Sequence, residues 1–299
     1  SDLQHRARGS LLGAAVGDAF AMPLEGSPRQ PTGVQLREMR AGRLEAGRFT
    51  AATERMLATA LNVLDPQAPE TETVELPARK GALSPAAACC ATLLARLGHR
   101  PTASPAPPEV AGPDPAVLTR CLPLPLAYIG DRAACLAEAR RRAALTHSHP
   151  DCLSGSAFVS ALLWHLLRGL APGKALQQAV HGCGEMSDAL KETIQSAPGR
   201  LRERLVNGPT VQETLECVTW GLITTASYVE AVTRVANLGG PSAPVSTAIV
   251  GALAGAAYRF SGIPADWRAL VHGVWPPRNG RSWHDARLAE LGERLVLQL

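Results

Sequence analysis

The stretch Gly9-Ser10-Leu11-Leu12-Gly13-Ala14-Ala15-Val16-Gly17-Asp18-Ala19 sets the reading of the chain. Arg6 and Arg8 before an apolar run loosely resemble a secretory leader. Asp18, however, interrupts the run at the short limit of such a segment. The stretch reads instead as the first core helix. Working outward, apolar positions recur at three- and four-residue spacing over 51–64, 86–98, 131–145, 152–169, 209–220, 222–236, 245–260 and 282–298, the helical period. Thr210 followed by Glu213 is a capping box ahead of Leu215, a helix start. No alternating β-branched runs joined by Asn-Gly or Asp-Gly turns are found, and Val74-Glu75-Leu76 is too short to count. The expected fold is all-α.

Composition agrees. Of 299 residues, 46% are apolar and only 4% aromatic, with alanine, leucine and glycine dominant. That suits helices packed closely through small side chains. Charged residues make up 19%, below the roughly 25% of typical soluble domains, which argues against disorder and against a coiled coil. The net charge is +4, and no basic run exceeds Arg140-Arg141-Arg142, so a nucleic-acid surface is not expected. No apolar run reaches the roughly 18–20 residues of a membrane span. Seven cysteines with no C-x-x-C pair read as reduced, buried thiols (Cys89, Cys90, Cys135, Cys152 and Cys217 lie in helical surroundings), and the expected location is cytoplasmic. Prolines crowd 65–85 and 101–115, a density that favours extended chain. They read as long loops across one domain spanning 1–299, and not as interdomain linkers.

Four segments in order resemble the ADP-ribosylglycohydrolase family, which includes the dinitrogenase-reductase-activating glycohydrolases. Gly9 to Ala19 with Pro23 and Glu25 is similar to the family's opening G-x-x-x-G-x-x-x-G-D-A…P-x-E. Phe49-Thr50-Ala51-Ala52-Thr53-Glu54 stands at its Y/F-T-D-D-T, and Leu145-Thr146-His147-Ser148-His149-Pro150-Asp151 at its T-H-x-x-P helix start. Asn237-Leu238-Gly239-Gly240, the alanine–glycine run Ala248 to Ala256, Ile263-Pro264 and Trp267 resemble G-G-D-x-D-T…A-x-x-G-A-x-x-G-A…I-P-x-x-W. The resemblance implies a compact, single-domain helical bundle of the ADP-ribosylglycohydrolase type.

The departures bear on chemistry. In the family, the aspartate pairs of T-D-D-T and G-G-D-x-D-T hold two divalent metals. Here they fall on Ala51 and Ala52 and on Pro241-Ser242-Ala243-Pro244, which offer no carboxylate to a hard cation. No metal and no other cofactor is expected. The family's glycine-rich G-N-G-x-x-M-R loop is replaced by Asp114-Pro115-Ala116-Val117-Leu118-Thr119-Arg120, so the arginine and the following proline survive but the glycine-rich phosphate cradle does not.

Glu25, just past the helix end, is the expected catalytic carboxylate, able to stabilise charge on ribose or deprotonate water. Asp18 is the second catalytic candidate, with a helix-end acceptor of backbone amides as its plainer role. Thr50, Thr53, Arg120, His147, Gly239 and Gly240 are the expected substrate-binding positions. The four side-chain candidates have ordinary alternatives: Thr50 and Thr53 as helix caps, Arg120 in a surface salt bridge, His147 in a helix-start motif with Ser148 or His149 as cap and Pro150 in the first turn. His147 and His149 lack a third ligand beyond Asp151 for a metal. Glu54 could supply a carboxylate where aspartate is missing, or be a first-turn acid facing the helix dipole. Trp164, Trp220 and Trp267 read as core, Trp275 and Trp283 as a border of the cleft, and Cys183 lacks a base that would make it a nucleophile.

The function expected is metal-independent hydrolysis of an N-ribosyl bond in an ADP-ribosyl, NAD-derived or ribosylated compound. The alternative is a catalytically inactive binder of ADP-ribose or a related nucleotide. The partner is a small ribosyl or nucleotide ligand, or an ADP-ribosylated protein, with no nucleic acid and no membrane.

Overall fold

The computed structural model describes residues 1–67, 112–276 and 280–298. Among them are twelve α-helices: α1 (Asp2–Ala21), α2 (Ala51–Leu64), the single-turn α3 (Leu124–Ala127), α4 (Arg132–Ala144), α5 (Pro150–Leu167), α6 (Pro172–Gly182), α7 (Asp188–Ser196), α8 (Val211–Ile223), α9 (Tyr228–Ala236), α10 (Ala243–Tyr258), α11 (Ala265–Leu270) and α12 (Asp285–Leu297). The strands β1 (His272–Trp275) and β2 (Arg281–His284) form one antiparallel hairpin with His272 opposite His284. The fold is all-α, with this hairpin a local exception.

The centre of the molecule is α1 lying antiparallel on α10. Gly9, Gly13 and Gly17 recur every four residues, so they share one face of α1. They meet Gly255, Gly251 and Thr247 of α10. A methyl built on Gly13 would lie 2.4 Å from the Gly251 carbonyl oxygen, and one on Gly251 would lie 2.2 Å from the Gly13 oxygen. The two backbones therefore touch, which no larger side chain would allow. Tyr228 of α9, fully buried, donates its hydroxyl to the Gly13 carbonyl at 2.8 Å and closes the seam. At its far end, the buried Arg6 guanidinium donates to the Ala256 and Ala257 carbonyls at 2.9 and 3.0 Å, satisfying acceptors that the α10 terminus would otherwise leave open. α12 closes the other flank of α1, its Gly292 packed on the Ala7 carbonyl.

Several boundaries carry their reasons in the sequence. Thr210 and Glu213 form the expected capping box of α8. The break expected at 221 falls instead at 224–227. Gly221 stays helical and serves packing, since a methyl there would lie 2.2 Å from Val235 Cγ2, and Ser227 caps α9 by accepting from the Glu230 amide at 3.2 Å. Pro115 opens a short 3-10 helix, Pro115–Cys121, capped by Asp114. The end of the proline-rich stretch is thus helical, since proline's missing N–H costs nothing at a first turn. The segment 86–98, Val74-Glu75-Leu76, Cys89, Cys90 and most of both proline-rich stretches lie outside the described residues. Cys121, Cys135, Cys152, Cys183 and Cys217 are buried free thiols, and burial pushes Cys121 up to about 12. No described helix is long and apolar enough to cross a membrane.

The hairpin was not expected. Trp275 and Trp283 are buried in it, with Trp283 Nε1 donating to the Trp275 carbonyl at 3.0 Å, so they form core and do not border a cleft. Phe49 packs its ring over Gly273 and donates its amide to the His272 carbonyl at 3.1 Å. This pins the chain one residue before the cap of α2.

Candidate functional site

The C-terminal end of α1, the first turn of α2 and the entry to α10 meet around Asp18. Its carboxylate is fully buried and accepts four hydrogen bonds: Thr50 N at 2.8 Å, Thr50 Oγ1 at 2.7 Å, Thr53 N at 3.1 Å and Thr53 Oγ1 at 2.6 Å. Burial raises its pKa, and the four donors oppose that rise. Thr50 also accepts from the Ala52 amide at 3.2 Å as the cap of α2. Asp18 therefore satisfies first-turn amides of α2 and fixes that helix against α1. Both threonine hydroxyls are already donated to it.

The neighbouring face of the same turn is different. Ala51 and Ala52 present methyl groups. Glu54 is half-buried, and its pKa is raised by burial and then by the Asp18 charge, against Arg48, Arg55 and Arg43. Arg55, one residue on, is 8% exposed.

Glu25 caps the short 3-10 helix Met22–Leu24 that continues α1. Its side chain is about one-third exposed and pairs with Arg43, Nε to Oε2 at 2.6 Å. The turn after it is clamped: Gly26 donates to the Gly240 carbonyl at 2.9 Å, and Gly240 donates to the Ser27 carbonyl at 2.8 Å. Gly239 and Gly240 have φ of 64° and 82°, a region open to glycine. Methyls on them would lie 2.3 Å from Ser27 O and 2.1 Å from Asn207 O. The Gly239 amide is donated to the Ala236 carbonyl at 3.0 Å, so neither glycine has a backbone donor to spare for a ligand. Their structural effect is to hold Glu25 beside the start of α10.

His147 is 1% exposed at the approach to α5. Its Nδ1 lies 2.7 Å from Thr146 Oγ1, while Nε2 is buried without a partner. Burial pushes the ring down to about 4, Arg120 and Arg55 push the same way, and Asp114 opposes them. Arg120, 3% exposed, is in the core and not at the surface. His149, not Ser148, caps α5 by accepting from the Asp151 amide at 3.2 Å, and Asp151 accepts from Ser187 Oγ at 3.0 Å.

The residues present do not fit the pair of divalent cations that the resemblance implies. Ala51 and Ala52 offer no oxygen side chain, Ser242 Oγ donates to the Gly208 carbonyl at 2.6 Å, and Thr50 and Thr53 serve Asp18. Among the described residues, no group of three or more His, Cys, Asp or Glu side chains could hold a metal ion. A half-buried glutamate and a buried arginine stand there instead.

Four site residues were not anticipated. Arg43 pairs with Glu25. Asn207 donates to Gly239 O at 2.8 Å and Ser246 Oγ at 2.9 Å. Asn237 bridges both backbone groups of Leu36 at 2.7 and 2.9 Å. Arg55 had a signal, a basic residue four after Ala51 on a helix whose following residues are mostly apolar, whereas the partners of the others lie far off in sequence.

The ADP-ribosylglycohydrolase family profile matches residues 1–299. The chain is 27% identical to the ADP-ribosyl-[dinitrogen reductase] glycohydrolase of Rhodospirillum rubrum over 96% of its own length and 97% of that protein. It is 25% identical to the ADP-ribosylarginine hydrolase Tri1 of Serratia proteamaculans, over 89% of this chain and 75% of that one. A solved structure described as an ADP-ribosylglycohydrolase-related protein complex superimposes with a TM-score of 0.78 at 29% identity, covering 99% of this chain and 98% of the other. With the glycine seam and the Asp18-anchored helix start, these matches establish that the chain belongs to the ADP-ribosylglycohydrolase family.

Proposed function

We propose that the protein is a metal-independent glycohydrolase that cleaves the N-glycosidic bond of an ADP-ribosyl, NAD-derived or ribosylated compound. The observation carrying this reading is that Asp18 and the Gly239–Gly240 turn hold the first turn of α2 and Glu25 in fixed positions, while the metal-ligand positions have become Ala51 and Ala52. In this reading, water attacks the anomeric carbon of ribose, and the C–N bond breaks with its electron pair leaving on nitrogen. Glu25 takes the proton from water, and its negative charge stabilises the oxocarbenium-like transition state. Arg43 orients the Glu25 carboxylate through its Nε–Oε2 contact at 2.6 Å. Asp18 does not touch the substrate; it is a positioning residue for Thr50 and Thr53. His147 and Arg120 bind the ligand from the α5 side. The two relatives are named for acting on ADP-ribosyl-dinitrogen reductase and ADP-ribosylarginine, which makes ADP-ribosylated arginine the first substrate to try. The buried free cysteines support a reducing, cytoplasmic setting.

A second reading, a non-catalytic binder, draws on the Glu25–Arg43 ion pair, which occupies the carboxylate a catalyst would need. Mass spectrometry of ADP-ribosylarginine, NAD and an ADP-ribosylated protein after incubation separates the two. Released ADP-ribose supports the hydrolase. No release, with thermal stabilisation by ADP-ribose, supports the binder.

A further inference from the structure

Residues 26–48 and 200–206, far apart in the chain, are fastened to each other beside Glu25. Arg29 donates to the Glu203 carbonyl at 2.9 Å and to the Leu205 carbonyl, and in return Arg202 donates to the Gln30 carbonyl at 2.7 Å. Gln30 and Leu36 are tied in turn to Asn237, and Arg43 reaches back to Glu25. Leu205 is 1% exposed and packs with Trp220 and Leu238, so the second loop is seated in the fold. The clasp makes one fixed surface on the flank of Glu25.

Its charge is out of proportion to its size. The two segments hold eight arginines and three glutamates, a net +5 against +4 for the whole chain. Arg29 and Arg202 spend N–H groups on carbonyls, which fixes the loops and neutralises neither charge. Burial and then the Arg29 charge lower the Arg202 pKa, as two like charges held close together require. Arg37, Arg40 and Arg204 are exposed and make no ion pair with any described residue. Five large apolar side chains stand exposed among the described residues, and three are on these loops: Val34 at 69%, Leu201 at 68% and Val206 at 55%. Exposed apolar side chains gathered among unpaired cations mark a surface for a partner. Neither segment contains an aromatic residue, the platform on which single-stranded nucleic acid stacks, and a nucleic acid would leave the apolar side chains uncovered.

We infer that this surface docks an acidic stretch of polypeptide bearing apolar side chains, on the protein whose ADP-ribosylated arginine enters the site. Carboxylates answer Arg37, Arg40 and Arg204, and aliphatic side chains cover Val34, Leu201 and Val206. This deepens the hydrolase reading and rests on it for the scissile group, whereas docking itself needs no turnover.

Fluorescence anisotropy with two labelled peptides of equal length tests this on the intact chain. One peptide is built of glutamate and leucine, and the other has glutamine for every glutamate. A labelled DNA duplex serves as a plain polyanion. At low salt the glutamate peptide should bind at least about tenfold more tightly than the glutamine peptide, and should weaken as salt rises. Arg37→Glu with Arg204→Glu should weaken it at least about tenfold, with an unchanged melting temperature because both side chains are exposed. Should that variant misfold, Arg37→Gln with Arg204→Gln removes the charges and should weaken the peptide severalfold. Placed within the glutamate peptide, ADP-ribosylarginine should show a lower KM than the free compound, and the charge reversal should raise the peptide's KM alone. Peptide binding as expected with no hydrolysis of either would fail the hydrolase reading and support the docking surface. The inference is overturned if neither peptide binds, if the two bind alike, if DNA binds as tightly as the glutamate peptide, or if the variants bind like the wild type.

Discussion

The first turn of α2 has two faces that obey opposite rules. On one, Thr50 and Thr53 give both amides and both hydroxyls to Asp18 within 3.1 Å. On the other, Ala51 and Ala52 offer nothing polar, and Arg55 is buried without a partner. A buried polar group that serves only the fold is satisfied by the fold. The satisfied face is the frame that holds the start of α2 in position.

The largest expected effect lies on the satisfied face. Asp18→Ala should cost about 3–5 kcal/mol of stability, because two buried amides and two hydroxyls lose their acceptor together. Denaturant melts measure this, and a loss under about 1 kcal/mol would mean that α2 is anchored elsewhere.

Glu25→Gln, beside the frame but outside it, should leave the fold and ADP-ribose binding intact. If the protein turns over substrate, its rate should fall by roughly 10²–10⁴-fold, the scale for losing a general base. Near-normal turnover would move the chemistry to another group, Glu54 foremost.

His147 gives the unsatisfied side a pH signature. The unfolded chain takes up the imidazole proton below its ordinary 6.5, while the folded protein does so only below about 4. Between those values the unfolded state binds more protons, so this residue's contribution to stability shrinks as pH falls. By pH 4 the lost stability should be on the order of 3 kcal/mol, measured as the wild-type slope minus that of His147→Gln. Identical slopes would show that the ring takes up its proton in the fold as readily as in the unfolded chain. Asp18 and Glu54, whose pKa values are raised, act in the opposite direction and cancel in this difference.

The smallest expected effect is none. Restoring aspartate at Ala51 and Ala52 should not create Mg²⁺-dependent hydrolysis, because positions 241–244 still supply no carboxylate. Any Mg²⁺-stimulated release of ADP-ribose by the double variant would place the missing ligands in other residues.

How far these faces were legible differs for physical reasons. The run Gly9 to Asp18 carries its own helix, and the four-residue glycine spacing that lets α1 touch α10 is visible within it. The helix-end role of Asp18 was readable as an alternative, but its donors lie over thirty residues away in Thr50 and Thr53, beyond any local pattern. The short helices α6 and α7 were missed, as was the hairpin, whose strands are four residues each and are held by burial of Trp275 and Trp283 more than by any strand propensity. Gly239 and Gly240 were readable as special residues, but which bonds their turn makes depends on Ser27 and Asn207.

The most direct test of the account is release of ADP-ribose from ADP-ribosylarginine by metal-stripped protein, measured with a chelator present and again after Mg²⁺ or Mn²⁺ is added. The account predicts the same rate in both, with no stoichiometric divalent metal by elemental analysis. Activity abolished by the chelator and restored by Mg²⁺, or two metal ions per chain, would contradict it.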